Sequence, residues 1–469
     1  MGFGSALRLE RTLVIRDKGA MLTAITLALI LVVAFVSGLR ADQAETAALQ
    51  TAAGRVQQEW AAQPPKNPHS AAHYGILVYR PRAPLQAIEP GVLPYQGAVT
   101  FLEAHKRNAP MLSPASVMAA ESRYGGTRFS PMLQIAGGFL ALVLGFLIGS
   151  REARRGMSAL LKGSGVRGGP AVAAKAVTTG ALVLAAAVPS LIVAAFQIEG
   201  GDAIARYAVL AGASLLHLFV LAAMGVAAGQ ILGGARFGLT AVAITWGLSV
   251  MIIPRIADVA AEQLVPMTQA TLNAVITTDF EQGPDGHGDS EANAVFERQI
   301  LKEYGVKTVK DLPVNFDALL MQADEDYRGG VYDRRLAEAE AVRERQDSIR
   351  RVSWVFGPTP VMLDLSVRVA GADADTQRRF DESAEVFRRD LVERLNRHMA
   401  ENSASGEWDW TPEDKYYASF DAFRPPALTL GESWPDLVPA GLGLLVWMLI
   451  AGGALVLAGR QFDKRVLSS

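Results

Sequence analysis

The chain has 469 residues, of which half are hydrophobic, a formal net charge of −2 and no cysteine. The nearly balanced charge argues against a nucleic-acid partner, because phosphate backbones are bound by strongly basic surfaces. Without cysteine, the chain has no disulfide, thiolate metal site or cysteine nucleophile. The hydrophobic residues are concentrated in six long stretches separated by two long polar intervals, so the sequence indicates an integral membrane protein.

Each apolar stretch has about the 20 residues that a helix needs to cross a bilayer. Since a helix satisfies its own backbone in lipid, we predict a mainly α-helical polytopic protein with six transmembrane helices. The two large insertions are expected to be α-rich with some β structure. A cleaved signal peptide is the alternative for the first stretch, but residues 35–39 make a poor cleavage site and cleavage would leave an odd number of spans. The predicted spans are residues 21–38, 132–149, 171–196, 207–232, 237–256 and 437–458.

Basic residues near the ends of spans predict the orientation, because they are retained on the cytoplasmic side. Here they precede the first span, fill the loop between the second and third, lie between the fourth and fifth, and follow the last. Both termini are therefore predicted to be cytoplasmic, and residues 39–131 and 257–436 to form two periplasmic domains. The basic residues are Arg8, Arg11, Arg16, Lys18, Arg151, Arg154, Arg155, Lys162, Arg167, Lys175, Arg236, Arg460, Lys464 and Arg465.

The first insertion contains three histidines. A helix is predicted to continue from the first span over residues 42–60, and residues 74–79 alternate as in a strand. His69 and His73, four residues apart, would share a helix face, and His105 follows in the same insertion. Three imidazoles could bind a transition metal, but histidines also cap and brace folds, and no carboxylate is placed to complete a site. The sequence alone therefore assigns no metal ligand.

The second insertion is predicted to be rich in helix. Apolar residues recur at helical spacing over residues 334–352 and again from Phe380 to Met399, with charged residues between them. Six aromatic residues precede the last span, and we interpret them as packing of this domain onto the membrane surface in preference to a substrate-binding patch. They are Trp408, Trp410, Tyr416, Tyr417, Phe420 and Phe423.

Within the spans, His217 is the ionisable residue that stands out. Such a group either hydrogen-bonds a neighbouring helix, for which hydroxyls on its own and the third span are candidates, or lines a transport path. Gly225, Gly229 and Gly233 are spaced four apart, which places them on one helix face and favours close helix packing.

The loop between the second and third spans is basic but also carries Glu152. A membrane anchor explains the basic residues and not the acid, whereas a docking element for a partner protein explains both. The glycine-rich residues 163–170 lack the Gly-Lys-Ser/Thr ending of a phosphate loop. We therefore predict no cofactor in this chain, and any ATP hydrolysis would belong to a partner.

Residues 150–161 of this loop, followed by Arg167 and Lys175, resemble the cytoplasmic segment of ABC-2 type transporter permeases. In that family a Glu, a Gly-Thr pair, a leucine-rich stretch, an Arg and a Lys recur at similar spacing. Here Met157 stands where Thr is usual, and the Pro before the Arg is missing. The resemblance implies a coupling segment at 150–170 that docks onto a separate ATPase, with the candidate residues Glu152, Arg155, Gly156, Leu160, Leu161 and Arg167.

The insertions, among them Asn-Pro-His at 67–69 and Phe-Arg-Pro-Pro at 423–426, resemble one subfamily of these permeases. It has two large periplasmic insertions and is grouped, by analogy, with permeases of multicopper enzyme maturation. The resemblance implies an exporter subunit in a bacterial inner membrane, not itself catalytic, that forms a homodimer or pairs with a homologous permease. Two ATPase subunits would bind ATP and Mg, and membrane lipid and a periplasmic or outer-membrane protein would be further partners.

Two other functions remain open from the sequence. The first is ATP-driven mechanotransmission to a periplasmic partner without translocation, which requires the same coupling segment. The second is a membrane-anchored periplasmic protein that handles metal or carries an enzymatic site. Acids and bases for such a site are Glu103, His105, Glu121 and Asp364, without a nucleophile motif.

Overall fold

The computed structural model describes residues 2–117, 128–152, 165–233, 237–268, 276–425 and 428–465. The helices discussed below are α1 (Phe3–Arg16), α2 (Lys18–Ala61), α3 (Pro68–Tyr74), α4 (Phe129–Gly149), α5 (Gly168–Ala195), α6 (Gly201–Leu232), α7 (Gly238–Leu264), α8 (Glu291–Tyr304), α9 (Phe316–Arg350), α10 (Pro358–Ala370), α11 (Ala374–Asn402) and α12 (Leu430–Arg465).

Six of these helices, within the described ranges, are long and apolar enough to cross a membrane: α2, α4, α5, α6, α7 and α12. Each matches one of the six spans predicted from the sequence, and two of those spans extend one residue beyond the helix. The prediction of a mainly helical protein with six candidate membrane-spanning helices is therefore confirmed.

Close packing of α4 against α6 forms the centre of the helix bundle. A side chain at Gly225 would come within 2.2 Å of the carbonyl oxygen of Leu142, and one at Gly229 within 2.2 Å of that of Phe146. Gly233 lies against Ser150 in the same way. The three glycines thus form the predicted packing face, where the absence of side chains lets two backbones approach closely.

The first span extends well beyond a bilayer. Helix α2 has 44 residues, which at about 1.5 Å per residue corresponds to about 66 Å, roughly twice the hydrocarbon thickness. The predicted continuation over residues 42–60 is therefore confirmed. Its C-terminal half carries Asp42, which pairs with Arg82 at 2.8 Å, and Trp60, which is buried. One rigid element thus connects the bundle to the polar part of the protein.

Residues 42–117 and 276–425 make up this polar part, which we call the head domain. Its sheet is small and antiparallel, in the order β1 (Ile76–Tyr79), β2 (Val99–Glu103) and β3 (Lys106–Arg107), with Tyr79 opposite Val99. Both amphipathic helices predicted in the second insertion are present as α9 and α11. Helix α9 starts at Phe316, earlier than expected, because the Asn315 side chain caps it.

The aromatic residues before the last span pack inside the head domain. The Trp60 ring stands edge-on to Tyr417 and Phe420, with centroids 6.0 and 6.2 Å apart, and Phe423 packs on Phe380. Trp60 is near the outer end of α2, about 30 Å beyond the predicted end of the first span. The prediction that these rings lie on the membrane surface is therefore wrong for Tyr417 and Phe420, which close the core of the head domain.

At the opposite end of the bundle, three parts of the chain meet. Glu10 of α1 pairs with Arg151, just after α4, and the backbone N–H of Gly168 donates to Asp463 of α12 over 2.8 Å. The N-terminal helix, the two described ends of the loop between the second and third spans, and the end of the last span therefore lie together, as their shared basic character predicted.

Arg206 of α6 joins the bundle to the head domain. Its guanidinium is fully buried and donates to the carbonyl oxygens of Val369 and Leu428 over 3.1 and 2.8 Å. It also donates to the Ser433 hydroxyl and pairs with Asp202. These partners fix α10 and the start of α12 against α6, because a buried guanidinium that lost them would carry a large desolvation penalty.

Candidate functional sites

Four histidines converge in the head domain. His69, His73, His105 and His287 each offer one ring nitrogen, and no two of these four atoms are more than 4.8 Å apart. The chain has six histidines in all, so most of them meet at this one place. Three come from the first insertion, as the sequence indicated. The fourth comes from the second insertion, and the sequence reading missed it.

Helix α3 presents His69 and His73 together. The Asn67 side chain accepts a hydrogen bond from the His69 backbone N–H over 2.9 Å and caps the helix, and Pro68 occupies its first position. Gly75, at φ +65°, ends it. Residues four apart share a helix face, so this short capped helix sets the two imidazoles side by side, with ring centroids 4.6 Å apart.

His105 lies in the tight turn between β2 and β3. Its backbone has φ +63°, a left-handed conformation that is uncommon for residues other than glycine. Two neighbouring carboxylates of α9 hold it there. Nδ1 of the ring lies 2.8 Å from Asp324, and the backbone N–H donates to Glu325. Nε2, which is buried, has no hydrogen-bond partner among the described residues.

His287 is carried by a loop just before α8. Asp285 accepts a hydrogen bond from the His287 backbone N–H over 3.0 Å. The Asn293 side-chain amide donates to the carbonyl oxygens of Asp285 and Gly288 over 2.9 and 3.0 Å and holds the loop closed. A side chain at Gly286 would meet the Met321 sulfur at 2.7 Å. The loop therefore has one well-defined path, with His287 at its tip.

Three of the four rings come together through their Nε2 atoms. His73 Nε2 lies 3.0 Å from His69 Nε2 and 3.1 Å from His287 Nε2, and the remaining pair is 3.3 Å apart. The His105 ring is next to all three, with centroid distances of 5.4, 5.3 and 4.8 Å to His69, His73 and His287. Three Nε2 atoms therefore meet, and a ring nitrogen of His105 lies within 4.8 Å of each of them.

The surroundings favour neutral rings. Burial, followed by repulsion from the other imidazoles, lowers the pKa of His69 to about 3. The same two causes lower the pKa of His73 and of His287. His69 and His105 are buried, whereas His73 and His287 are exposed. His69, His73 and His287 thus offer unprotonated ring nitrogens, and the exposed His73 and His287 leave the cluster open to solvent on one side.

The candidate coupling residue Glu152 lies inside a buried ion network at the other end of the bundle. Its carboxylate pairs with Lys175 of α5 and with Arg151, which in turn pairs with Glu10 of α1. All four side chains are buried, and two positive charges balance two negative ones. Glu152 is therefore positioned to anchor helices to one another, and its carboxylate does not face outward to meet a partner.

Of the other candidate coupling residues, Arg167 is described by the structure. It is exposed and directly precedes α5, so its side chain is accessible to a partner. Arg155, Gly156, Leu160 and Leu161 lie outside the described residues. The network of Glu152 and Lys175 thus holds both ends of the segment to which these residues belong.

His217 is fully buried between α6 and α4. Its Nε2 lies 3.3 Å from the carbonyl oxygen of Gln134, which belongs to the π-helical turn Met132–Gly137. The hydrogen-bonding interpretation of His217 thus has a partner in the structure, although it is a backbone carbonyl of the second span and not a hydroxyl.

The described acids proposed for an enzymatic site each have a partner elsewhere in the fold. Asp364 pairs with Arg368 on α10, and Glu103 accepts a hydrogen bond from Asn108. Glu121 lies outside the described residues. The described contacts of Glu103 and Asp364 therefore add no support to an enzymatic site.

Comparison with known families adds one match. Residues 272–422 match a family described as a domain of unknown function, DUF3526. The matched region contains His287 and the residues that hold His105, namely Asp324 and Glu325, but none of the other three histidines. No curated protein and no solved structure matches the chain significantly. Part of the second insertion is thus similar to a family whose activity is not described.

Proposed function

We propose that this protein is the transmembrane permease subunit of an ABC-2 type, ATP-driven exporter in a bacterial inner membrane. Two copies would form the pore with two separate ATPase subunits, and both termini would be cytoplasmic. The coupling segment at 150–170 would receive the motion of the ATPase, and the head domain would lie in the periplasm. The proposal rests on the resemblance of that segment together with the way the fold holds it.

The observation that carries the proposal is the ion network at Glu152. Arg151 and Glu152 lie at the start of the coupling segment, and Lys175 follows the segment, about two turns into α5. Through Glu10 the same network reaches α1. A push on the segment would therefore move α1, α4 and α5 together, since buried ion pairs are costly to separate.

The long helix α2 would transmit motion from the helix bundle to the head domain. Its inner part packs in the bundle through Leu27 and Leu31, and its outer end packs in the head domain through Trp60. A tilt of α2 would consequently displace the head domain. This same feature favours the second candidate function, in which the ATPase drives movement of the head domain against a periplasmic partner without moving a substrate.

The exposed apolar faces agree with a subunit that associates in the membrane. In the most apolar 18 residues of α7, 6% are buried within the chain. In the corresponding part of α12, 17% are buried. Lipid and the second subunit of the proposed homodimer would cover these faces, because contacts between helices in membranes depend on packing.

The test is purification of the tagged full-length chain from native membranes, with identification of co-purifying proteins and an assay of ATP hydrolysis. We expect an ATPase subunit in equal amount and vanadate-sensitive hydrolysis. The variant Arg167→Glu should reduce this hydrolysis, because it reverses an exposed charge of the coupling segment. Recovery of the chain alone, under conditions that preserve other membrane complexes, would contradict the proposal.

The matched control is Arg460→Glu. Arg460 is also exposed and lies at the same end of the bundle on α12, but it is outside the coupling segment. The variant Arg460→Glu should leave ATP hydrolysis unchanged. Equal loss in both variants would indicate a general effect of charge and would remove the support for Arg167. Transport of a defined cargo into sealed vesicles would then distinguish export from mechanotransmission.

A further inference from the structure

The three close Nε2 atoms cannot all be satisfied by one another. Each ring nitrogen in a neutral imidazole either carries a hydrogen or offers a lone pair. With three atoms in mutual contact at 3.0–3.3 Å, at least one pair must place two hydrogens or two lone pairs together. A cation at the centre removes this conflict, because all three nitrogens then direct lone pairs at it.

We infer that His69, His73, His105 and His287 bind one zinc(II) ion in the head domain. Imidazole nitrogen is a preferred ligand of late first-row transition metals, and four ring nitrogens gather within 4.8 Å. The inference stands on these residues alone and is independent of the proposed transport function. It also resolves the alternative that the sequence left open for the first three histidines.

The distances between the Nε2 atoms favour zinc over ions that prefer square-planar coordination. A tetrahedral ion with metal–nitrogen distances of about 2.0–2.1 Å places its ligand atoms about 3.3 Å apart, close to the observed 3.0–3.3 Å. In a square-planar site, two of any three ligands would be about 4 Å apart. The His69, His73 and His287 triangle therefore matches three corners of a tetrahedron, and His105, with a ring nitrogen within 4.8 Å of the other three, is the imidazole available for the fourth.

The residues around His105 hold its ring in an orientation that suits a metal ligand. Asp324 faces Nδ1 at 2.8 Å, which leaves Nε2 with its lone pair free, as in the carboxylate–histidine pairs that orient metal ligands. Asp324 is held in turn by Arg328 over 2.5 Å. Glu325, which accepts from the His105 backbone, is held by the buried Arg388 over 2.7 Å. The orientation of His105 is thus fixed from two sides.

Four protein ligands indicate a binding or structural role, because catalytic zinc sites keep one position open for water. His69, His73 and His105 belong to the first insertion and His287 to the second. The ion would consequently fasten the loop at 285–288 to α3 and to the β2–β3 turn. The exposure of His73 and His287 gives the ion a route from solvent.

The test uses the full-length chain in detergent, with any purification tag removed, stripped by a chelator and dialysed. Isothermal titration with zinc, checked by elemental analysis after gel filtration, should give one ion per chain, and magnesium should not bind. His69→Ala with His73→Ala should weaken zinc binding by about 100-fold or more, since even second-layer changes typically cost 10–100-fold. His287→Ala, on an exposed loop, should have the same effect without affecting the core.

The matched control is His398→Ala. His398 belongs to the same domain but stacks on Tyr416, with ring centroids 4.1 Å apart, and lies outside the cluster. The variant His398→Ala should bind zinc with the affinity of the wild type. Substitution by cobalt(II) supplies a second readout, because a tetrahedral nitrogen site gives intense visible absorption. Absence of saturable zinc binding, or zinc binding that His287→Ala leaves unchanged, would overturn the inference. Copper(II) binding with a planar spectrum and no zinc binding would also overturn it.

Discussion

Nδ1 of His105 lies 2.8 Å from the Oδ2 atom of Asp324. The two residues come from different insertions, so the head domain is completed only when both have folded together. Although burial opposes it, hydrogen bonds from His105 and Arg328 lower the pKa of Asp324. The carboxylate therefore stays ionised and holds the ring in the orientation that leaves Nε2 free.

This relationship predicts the effect of Asp324→Asn. An amide is a weaker acceptor than a carboxylate and no longer increases the basicity of the ring, so zinc affinity should fall by about 10–100-fold. Titration of zinc into the stripped chain measures it. Asp326→Asn, an exposed position on the same helix that accepts from Gln322, should leave zinc affinity unchanged. Equal affinity in both variants would mean that Asp324 does not support the site.

The ion network at Glu152 predicts a loss of stability on charge reversal. Glu152→Lys would place three cations around the single carboxylate of Glu10, and breaking a buried ion pair typically costs about 3–5 kcal/mol. A docking role for Glu152, which the resemblance implies, would predict that this variant inserts normally and loses only coupling. The buried position of Glu152 instead predicts a lower melting temperature of the detergent-solubilised chain.

A second substitution distinguishes the two explanations. Glu152→Lys combined with Lys175→Glu restores the alternation of charge and should recover part of the lost stability. If the single variant melts at the wild-type temperature, or if the double variant is no more stable than the single one, the pair does not stabilise the bundle as we infer.

The glycine face of α6 predicts that replacing glycine by alanine lowers stability at some positions of the helix and not at others. Gly225→Ala would place Cβ at 2.2 Å from the Leu142 carbonyl oxygen, so α4 and α6 must separate. Overpacking of this kind typically costs about 1–3 kcal/mol. Gly212 lies on the same helix with no atom within 4 Å of an added Cβ, and Gly212→Ala should be tolerated. Melting temperatures in detergent measure both, and similar values for the two variants would contradict the packing account.

Asp381 predicts a pH-dependent stability of the head domain. Burial raises the pKa of Asp381 from 3.8 to about 6, against a hydrogen bond from Gln377 and the charges of Arg107 and Arg80, which lower it. The folded state therefore binds this proton more tightly than the unfolded state. Stability contributed here is greatest at low pH and is lost as the pH rises from about 4 to about 6.

Replacement by a neutral isostere removes this effect. Asp381→Asn should raise the free energy of unfolding by about 1–2 kcal/mol at pH 8, with allowance for partial exposure, and by little at pH 4.5. Asp390→Asn, an exposed carboxylate on the same helix, is the control and should show no such difference. Thermal unfolding at both pH values measures the difference in stability between Asp381→Asn and the wild type. A difference that is the same at both pH values would exclude this carboxylate as the cause of the pH dependence.

Local patterns predicted most of the helices because they depend on neighbours in sequence. The six apolar stretches, the continuation of α2 and the amphipathic character of α9 and α11 all follow from composition and helical spacing. The pairing of His69 with His73 followed from their spacing of four residues in the same way. Each of these features is decided within a few turns of chain.

Contacts between distant segments could not be predicted in this way. His287 lies 218 positions from His69, and its isolated position between two glycines gave no helical or strand pattern. The scarcity of histidine in the chain was the one available signal. Similarly, Glu152 looked available to a partner because its burial depends on Lys175 and Arg151, which come together only in the folded bundle.

The claim that histidines of both insertions bind one ion is tested most directly by X-ray absorption at the zinc edge, on the full-length chain loaded with one equivalent of zinc. We predict a shell of four nitrogens at about 2.0–2.1 Å with the outer scattering of imidazole rings, and loss of one imidazole in His287→Ala. A shell of six oxygens, or a spectrum that is the same in His287→Ala and wild type, would contradict the account.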